Sequence, residues 1–265
     1  MPVDKYWGAS TQRSSKYFDI GDFLVRPILI KSIAIIKKAA AIVNAKNGDL
    51  DKRISRAIIK ASNDSDVERF LYMSCTCVYP DKDGLLSENI SWTEPPSKSA
   101  VQFGWVKRMG ELESKSYKEE FGLKTAIIRP ANAFGPGDLY DKYRSHAVPA
   151  LIMKAVAKTN PFKIWGDGTA KRDFLYAEDI ARGAMLALEK YCVGDPINIS
   201  TGIPVSINEL ASKIIEITNS NSKLINKDLP QDDPKQRKPD ITKAKTMLNW
   251  EPKVKLEDGL NKTID

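Results

Sequence analysis

Cys75 and Cys77 are the first residues whose type could support chemistry. They stand two positions apart, a spacing that suits neither a zinc site nor a redox Cys-x-x-Cys pair. Both follow residues 67–73, an apolar run that predicts a buried strand, and ligand chemistry in open α/β sheets sits at the carboxyl ends of strands. A thiol reacts only when its pKa is lowered. Two interpretations therefore stay open: reactive groups, or small buried residues.

Arg172, Trp165 and Asn132 are candidates for ligand binding. The planar guanidinium group of an arginine donates paired, charge-assisted hydrogen bonds that suit a diphosphate. A hairpin with a packed Trp165 and a surface Arg172 is the structural alternative. A turn made by glycine and proline accounts for residues 135–137 but leaves Asn132 unexplained. His146 is the only histidine of the chain, and a lone histidine is more often structural.

Hydrophobic periodicity predicts the elements that position these side chains. Residues 99–111 carry apolar side chains at helical spacing and predict an amphipathic helix with Phe103 and Lys107 one turn apart. Ser206 is predicted to cap the helix that follows it. The predicted strands are 23–30, 67–73, 125–128 and 196–199, the predicted helices are 32–45, 54–61, 99–111, 180–189 and 206–218, and residues 1–22 and 219–238 are predicted to be irregular.

The composition is that of a folded, basic chain. Its 265 residues are 42% hydrophobic, enough for a sizeable core, and carry a formal charge of +7. Such a charge suits an anionic partner. Because acidic residues are interspersed and no basic stripe alternates with aromatic residues, we expect no nucleic-acid partner. The most apolar stretch, residues 23–43, is interrupted by basic side chains, so we expect no membrane span.

The cysteine count gives an expectation about the compartment. Three cysteines are an odd number and do not indicate a secreted disulfide framework. No signal-peptide pattern is present, so a reducing cytosol is the default and we expect a cytoplasmic protein. We expect no metal site.

Several motifs together resemble the extended short-chain dehydrogenases/reductases, the NAD-dependent epimerase/dehydratase family that modifies nucleotide sugars. The pair Phe103 and Lys107 resembles the family's Tyr-x-x-x-Lys helix, with Phe103 in place of the tyrosine. Residues 74–80 (Ser-Cys-Thr-Cys-Val-Tyr-Pro) resemble its Ser-Ser-x-x-Val-Tyr-Gly segment. Residues 129–138 (Arg-Pro-Ala-Asn-Ala-Phe-Gly-Pro-Gly-Asp) resemble its Arg-Pro-x-Asn-x-Tyr-Gly-Pro-Gly-Asp segment.

Two later segments extend the resemblance towards the C-terminus. Residues 164–179 resemble the family's Trp/Tyr-Gly-x-Gly run with its following Arg-Asp-Phe, and residues 240–252 resemble its C-terminal Leu-Gly-Trp-x-Pro run. Within the family, the segments around Cys77 and His146 are most similar to those of the GDP-L-fucose synthases.

The resemblance implies an α/β fold, a doubly wound Rossmann-like parallel sheet with a small C-terminal substrate-binding region. The 15 glycines never fall into the Gly-x-x-Gly-x-x-Gly or Gly-x-Gly-x-x-Gly spacing that opens such a fold, so we expect the usual N-terminal βαβ unit to be lacking. We divide the chain into a divergent segment, 1–48, and a family-like region, 49–265. In that region the Rossmann remainder covers roughly 49–134 and 172–200, and the substrate-binding parts cover roughly 135–171 and 201–265.

The resemblance also implies roles for individual side chains. Proton transfer falls on Cys77 and His146, a hydrogen bond to a sugar oxygen falls on Cys75 or Thr76, and the helix contributes Lys107 beside Phe103, which has no proton to give. The residues implied to contact the cofactor are Lys107, Pro130, Asn132, Ala133 and His146, and those implied to bind the substrate are Asn132, Lys154, Trp165, Arg172 and Arg237.

The implied function is that of a nucleotide-sugar epimerase or reductase similar to the GDP-L-fucose synthases. Its substrate would be a nucleoside diphosphate sugar and its cofactor NAD or NADP. Because the glycine turn and the tyrosine are missing, activity is left open and we expect weak or no dinucleotide binding. The alternative is a non-catalytic or truncated homologue that binds a nucleotide sugar without turnover. The assembly that we expect is a homodimer.

Overall fold

The three-dimensional structure is a computed structural model, which describes residues 62–63, 67–228 and 236–264. The predicted strand 23–30, the predicted helices 32–45 and 54–61 and the expected lack of the N-terminal βαβ unit fall outside these residues.

The described residues alternate between strands and helices. The helices are α1 Val101–Phe121, α2 Ala147–Val156, α3 Ala177–Lys190, α4 Ile207–Ile217, α5 Thr242–Leu248 and α6 Leu256–Ile264. The strands are β1 Arg69–Met73, β2 Leu85–Leu86, β3 Lys124–Pro130, β4 Asn132–Phe134, β5 Phe162–Trp165, β6 Lys171–Arg172, β7 Phe174–Tyr176, β8 Val193–Ile199, β9 Val205–Ser206, β10 Leu224–Lys227 and β11 Lys238–Pro239. Short 3-10 turns cover Thr76–Val78, Glu88–Trp92 and Lys98–Ala100.

Three parallel strands in the order β1-β3-β8 form the main sheet of the described residues. β1 and β3 pair in register from Arg69 opposite Lys124 to Met73 opposite Ile128. α1 makes the crossover between them that a parallel pair requires. The carboxyl ends of β1 and β3 therefore lie side by side at one edge of the sheet, where both are followed by predicted site residues.

Helices cover both faces of this sheet. Alternate residues of a strand point to opposite faces, and Phe70 and Tyr72 pack with Tyr117 of α1. Leu71 on the opposite face belongs to the larger core, which takes in α3, α5 and the fully buried Trp250. The result is a three-layer α/β/α arrangement with parallel strands, as the implied fold class predicts.

A second apolar core lies outside the main sheet. It contains buried residues of α2, α4 and α6 together with residues of β4, β5 and β7. Two parallel strand pairs, β4 with β7 and β5 with β10, support it. Ser206 caps α4 as predicted, because its side chain accepts a hydrogen bond from the Glu209 N–H at 3.1 Å.

Two predictions about secondary structure need correction. The predicted helix 99–111 begins at Val101 and runs on to Phe121, and it ends where Gly122 adopts a left-handed conformation. Residues 219–238 are not wholly irregular, since they contain β10 and the start of β11. β10 is held by backbone pairing with the distant β5, which local periodicity cannot reveal.

Candidate functional site

The carboxyl ends of β1 and β3 open into a cavity of about 1310 Å³. Every site residue predicted from the sequence lines this cavity except Lys107. The lining residues from that set are Cys75, Thr76, Cys77, Phe103, Pro130, Asn132, Ala133, His146, Lys154, Trp165, Arg172 and Arg237. Segments that are far apart in the chain thus line the same cavity.

Lys107 lies behind the cavity wall. It is 9% exposed, and its Nζ donates to the carbonyl oxygen of Met73, the last residue of β1, at 2.7 Å. The same Nζ lies 5.3 Å from the centroid of the Phe103 ring, and it is Phe103 that lines the cavity. Burial lowers the pKa of the Lys107 ammonium group. The lysine therefore ties α1 to the end of β1 directly beside the site.

The two thiols lie on the 3-10 turn that follows β1. Cys75 occupies the N-cap position, and its Sγ accepts a hydrogen bond from the Cys77 N–H at 3.3 Å. Arg108 of α1 holds the far end of the turn, since its Nε and Nη2 donate to the Val78 carbonyl oxygen at 2.9 and 2.6 Å. The bond within the turn and the attachment to α1 together set where the thiols stand in the cavity wall.

The environment of the two thiols bears on the role of Cys75. Both thiols are partly exposed in the wall of the cavity. A hydrogen bond with the Cys77 thiol, and then burial, raise the pKa of the Cys75 thiol well above its usual value. Cys75 is therefore protonated at neutral pH, where it can donate a hydrogen bond, and it reacts only when it gives up that proton.

Two glycines of α1 allow the helix to approach this region closely. A Cβ atom on Gly104 would lie 2.5 Å from the Cys77 carbonyl oxygen, and one on Gly110 would lie 2.2 Å from the Tyr72 ring. Both distances are shorter than non-bonded atoms tolerate, so a larger residue would push α1 away from the thiol turn and from β1.

A buried ion pair underlies the site. Arg129 at the end of β3 donates to both carboxylate oxygens of Glu111 on α1, at 2.8 and 2.6 Å. Ser74 donates to the same carboxylate at 2.5 Å, and Arg129 also donates to the Tyr79 hydroxyl, which donates in turn to Asn198 of β8. Sequence reasoning missed this group, although Glu111 shares a helix face with the predicted lysine.

The part of the cavity lined by β5 and β10, called the cationic end below, is aromatic and cationic. Parallel pairing of β5 with β10 places Trp165 opposite Lys227, whose Nζ lies 4.4 Å from the indole centroid. Lys154 donates to the Lys163 carbonyl oxygen at 2.8 Å, and burial lowers its pKa. Lys227 lines the cavity but was not predicted, because its strand was predicted to be a loop.

Two arginines flank this end of the cavity. Arg237 donates to the Ser97 hydroxyl at 2.5 Å and lies 3.5 Å from a carboxylate oxygen of Asp81. Arg172 donates to the carbonyl oxygen of Lys171 at 2.8 Å. Both guanidinium groups are thus held by neighbouring groups while they line the cavity.

Asn132 and His146 also line the cavity. The Asn132 side-chain nitrogen donates to the Asp173 carbonyl oxygen at 2.8 Å, which fixes the plane of its amide. His146 occupies the N-cap position of α2 and makes no side-chain capping bond there. Tyr143, which is 86% exposed, also lines the cavity and was missed because its loop carries no periodic signal.

Comparison with known proteins identifies the family. The sequence model described as the NAD dependent epimerase/dehydratase family matches residues 36–200. The chain belongs to that family.

The relatives of this chain are named for different activities. A GDP-L-fucose synthase of Sinorhizobium fredii is 31% identical over 78% of this chain and 68% of its own length. A GDP-mannose 3,5-epimerase of Arabidopsis thaliana is also 31% identical, over 79% of this chain and 56% of its own length. The chain thus spans between about half and two-thirds of the length of these relatives.

A solved structure shares the fold. The UDP-glucuronic acid 4-epimerase of Bacillus cereus, in complex with UDP-glucuronic acid and NAD, superposes with a TM-score of 0.70 at 30% identity. The match covers 80% of this chain and 65% of that one. The parallel, helix-covered sheet described above is consistent with the Rossmann-like fold of this family.

The cofactor implied by the family can be tested against the residues present. Phe103, Pro130, Asn132 and Ala133 line the cavity, and Lys107 beside Phe103 keeps donor capacity beyond the one bond that it gives to β1. Among the described residues, this set is compatible with the nicotinamide end of a dinucleotide.

The described residues contain neither a metal-binding cluster nor a membrane-spanning helix. Among residues 62–63, 67–228 and 236–264, no group of three or more His, Cys, Asp or Glu side chains is arranged to hold a metal ion. The helices of those same residues include none with the length and apolar character needed to cross a bilayer.

Proposed function

We propose that this chain binds a nucleoside diphosphate sugar in the cavity and acts on it as an epimerase or reductase of the nicotinamide-dependent type. The observation that supports this proposal most strongly is that motif residues from widely separated segments line one cavity. The lining residues that follow β1 carry the thiols, and the residue before α2 carries the imidazole. The lining residues of β5 and β6 are aromatic and cationic.

The thiol turn is proposed to receive the sugar. Cys77 and His146 both line the cavity and are assigned to proton transfer at sugar carbons beside a ketone. Thr76 and Cys75 are assigned to hydrogen bonds with a sugar oxygen, which suits the raised pKa of the Cys75 thiol. The amide of Asn132, fixed by Asp173, contacts a sugar hydroxyl.

The cationic end is proposed to receive the nucleoside diphosphate. Arg172 and Arg237 pair with the diphosphate, since guanidinium groups form charge-assisted, two-point contacts with phosphate oxygens. Trp165 offers a ring for stacking, and Lys154 adds positive charge. We also propose that residues 135–171 and 201–265 form the substrate-binding part; the second apolar core draws most of its buried residues from these ranges.

NAD or NADP supplies the hydride acceptor and donor in this proposal. Lys107 would hold the nicotinamide ribose, and the backbone of residues 130–133 would lie along the nicotinamide ring. His146, at the start of α2, would also contact the cofactor. Among relatives, a GDP-L-fucose synthase and a GDP-mannose epimerase are equally identical to this chain, so GDP-sugars are the first substrates to test.

Binding without turnover is the second candidate function. The specific observation in its favour is Phe103, which lines the cavity at the place where the family motif has a tyrosine. A phenyl ring cannot transfer a proton, so the nucleotide-sugar pocket would be kept without its usual acid.

Calorimetric titration of the purified chain with GDP- and UDP-sugars tests the proposal. Removing a charge-assisted contact typically costs about 1.5–3 kcal/mol, so Arg172→Ala should weaken binding roughly ten- to a hundredfold. Lys171→Ala is the matched control, because Lys171 lies on the same strand and carries the same charge but does not line the cavity. Equal affinity of Arg172→Ala and the unmodified chain would contradict the assignment.

A further inference from the structure

Cys75 and Cys77 differ from the third cysteine in having each other as neighbours. The Sγ of Cys75 accepts the N–H of Cys77 at 3.3 Å, and the two thiols are hydrogen-bonded to one another. Cys192, in contrast, donates to the Leu188 carbonyl oxygen at 3.0 Å and does not line the cavity. Both members of the pair are partly exposed and line the cavity.

The turn geometry places the two thiols within hydrogen-bonding reach of each other. The amide nitrogen of Cys77 is two bonds from the Cβ that carries its own thiol, and Cys75 Sγ rests on that nitrogen. A disulfide needs Cβ atoms roughly 3.5–4.5 Å apart, a separation that neighbouring residues of one tight turn can reach. Arg108 holds the Val78 end of the turn, so the pair stays at the wall of the cavity.

We propose that Cys75 and Cys77 form a reversible intramolecular disulfide when a hydroperoxide enters the cavity. Cys77 is oxidised first: its thiolate attacks the hydroperoxide, the O–O bond breaks, and sulfenic acid and an alcohol or water are formed. Cys75 then attacks that sulfur, the S–O bond breaks, and the proton of Cys75 leaves with the hydroxide as water. Two thiols are oxidised to one disulfide and one hydroperoxide is reduced.

The order of the two steps follows from the surroundings of Cys75. Its raised pKa keeps this thiol protonated while Cys77 is oxidised, so Cys75 is assigned the second step, in which it loses its proton as it attacks the oxidised sulfur. Because the disulfide removes both thiols from the wall of the cavity, it would stop proton transfer at a bound sugar until a reductant restores them. This consequence for turnover rests on the proposed function, whereas formation of the disulfide does not.

Peptide mapping of the full chain tests the proposal without an activity assay. The reduced protein is treated with hydrogen peroxide, alkylated with iodoacetamide and digested with trypsin. Cleavage after Arg69 and Lys82 places both cysteines in residues 70–82, and cleavage after Lys190 and Lys213 places Cys192 in residues 191–213. We expect peptide 70–82 to lose all alkylation and to be lighter by two hydrogen atoms, and a phosphine reductant to restore both thiols.

Two variants assign the chemistry. In C75S the intermediate should persist, so that dimedone labels Cys77, whereas in C192S the disulfide should form as in the unmodified chain. The proposal is overturned if peroxide leaves both thiols open to alkylation, or if it adds oxygen to Cys77 while Cys75 stays a free thiol. Should C75S fail to fold, the peptide mapping of the unmodified chain by itself shows whether the disulfide forms. Calorimetry on the reduced protein separately tests the proposed function.

Discussion

Phe103 is the residue that separates this chain most clearly from the family motif. Its ring lines the cavity, and its centroid lies 5.3 Å from Lys107 Nζ, so a hydroxyl on this ring would be placed beside an ammonium group. A cation near a phenol favours the phenolate and lowers its pKa. The neighbourhood that activates a tyrosine is therefore retained, whereas the proton donor itself is not.

The change Phe103→Tyr is expected to raise hydride-transfer turnover by at least about tenfold, because general acid–base help is typically worth about 10²–10⁴-fold. The measurement has two parts: oxidation of the reduced nicotinamide, and deuterium uptake from solvent at the carbons of a 4-keto nucleotide sugar. Exchange through Cys77 and His146 should occur in the unmodified chain as well, provided that the substrate already carries the ketone.

Phe121→Tyr is the matched control for Phe103→Tyr. It adds the same hydroxyl at the exposed end of the same helix, and we expect no effect on turnover. If the unmodified chain oxidises the nicotinamide and Phe103→Tyr leaves that rate unchanged, another group carries the proton and the site has been placed wrongly.

At the scale of elements, α1 connects most parts of the site. Its buried face is small and polar rather than apolar: Gly104 and Gly110 allow close approach, and Lys107, Arg108 and Glu111 reach β1, the thiol turn and β3. The apolar spacing that predicted this helix from the sequence lies on the exposed side. Directed polar contacts thus attach this helix to the sheet, whereas most amphipathic helices are attached by an apolar face.

Glu111→Gln tests how strongly this polar face holds α1. The substitution leaves Arg129 buried without its counter-charge, and breaking a buried pair in this way typically costs about 3–5 kcal/mol. Urea unfolding should therefore show a loss of that size in the free energy of unfolding. Glu120→Gln removes an exposed carboxylate of the same helix and should change stability by less than about 1 kcal/mol. Equal losses for the two variants would contradict this reading of α1.

The exposed side of α1 suits a second copy of the chain. Trp105, Met109 and Leu112 are 44%, 47% and 42% exposed and follow one another at heptad spacing along the helix. Continuing that spacing outwards leads to Lys98 before the helix and to Glu119 near its end. If two α1 helices cross antiparallel about a two-fold axis at Met109, the apolar residues face one another and Lys98 of each copy faces Glu119 of the other.

We accordingly expect the purified chain to form a homodimer through α1. Met109→Glu places two like charges at the axis and should convert the dimer into a monomer in sedimentation velocity experiments. Ile203→Glu alters a similarly exposed apolar residue outside α1 and should leave the dimer intact. A monomeric unmodified chain, or a dimer that survives Met109→Glu, would show that this surface has another role.

At the scale of the whole molecule, the sequence predicted what local motifs encode. Strands β1, β3 and β8 and the helices α3 and α4 were placed within a few residues of their observed bounds. Twelve of the predicted site residues lie together along one cavity, because each motif keeps its residues at a fixed spacing and the ends of parallel strands meet at one edge.

What the sequence could not predict depends on contacts between distant segments. β10 exists through its pairing with β5, and that pairing alone brings Lys227 over Trp165. The pairing of Glu111 with Arg129 is likewise invisible until α1 is laid on the sheet. The position of Lys107 behind Phe103 depends on its bond to the Met73 carbonyl oxygen, which no spacing encodes.

The central claim is that a nucleoside diphosphate sugar lies in this cavity with its sugar at the thiol turn. Ligand protection of the thiols tests it most directly: the reduced chain is alkylated with iodoacetamide in the presence and absence of a GDP- or UDP-sugar, and the rates for peptides 70–82 and 191–213 are compared. We predict that the nucleotide sugar slows alkylation of Cys75 and Cys77 but not of Cys192, and that the nucleoside diphosphate without the sugar protects less. Unchanged alkylation of Cys75 and Cys77 at saturating nucleotide sugar would contradict the claim.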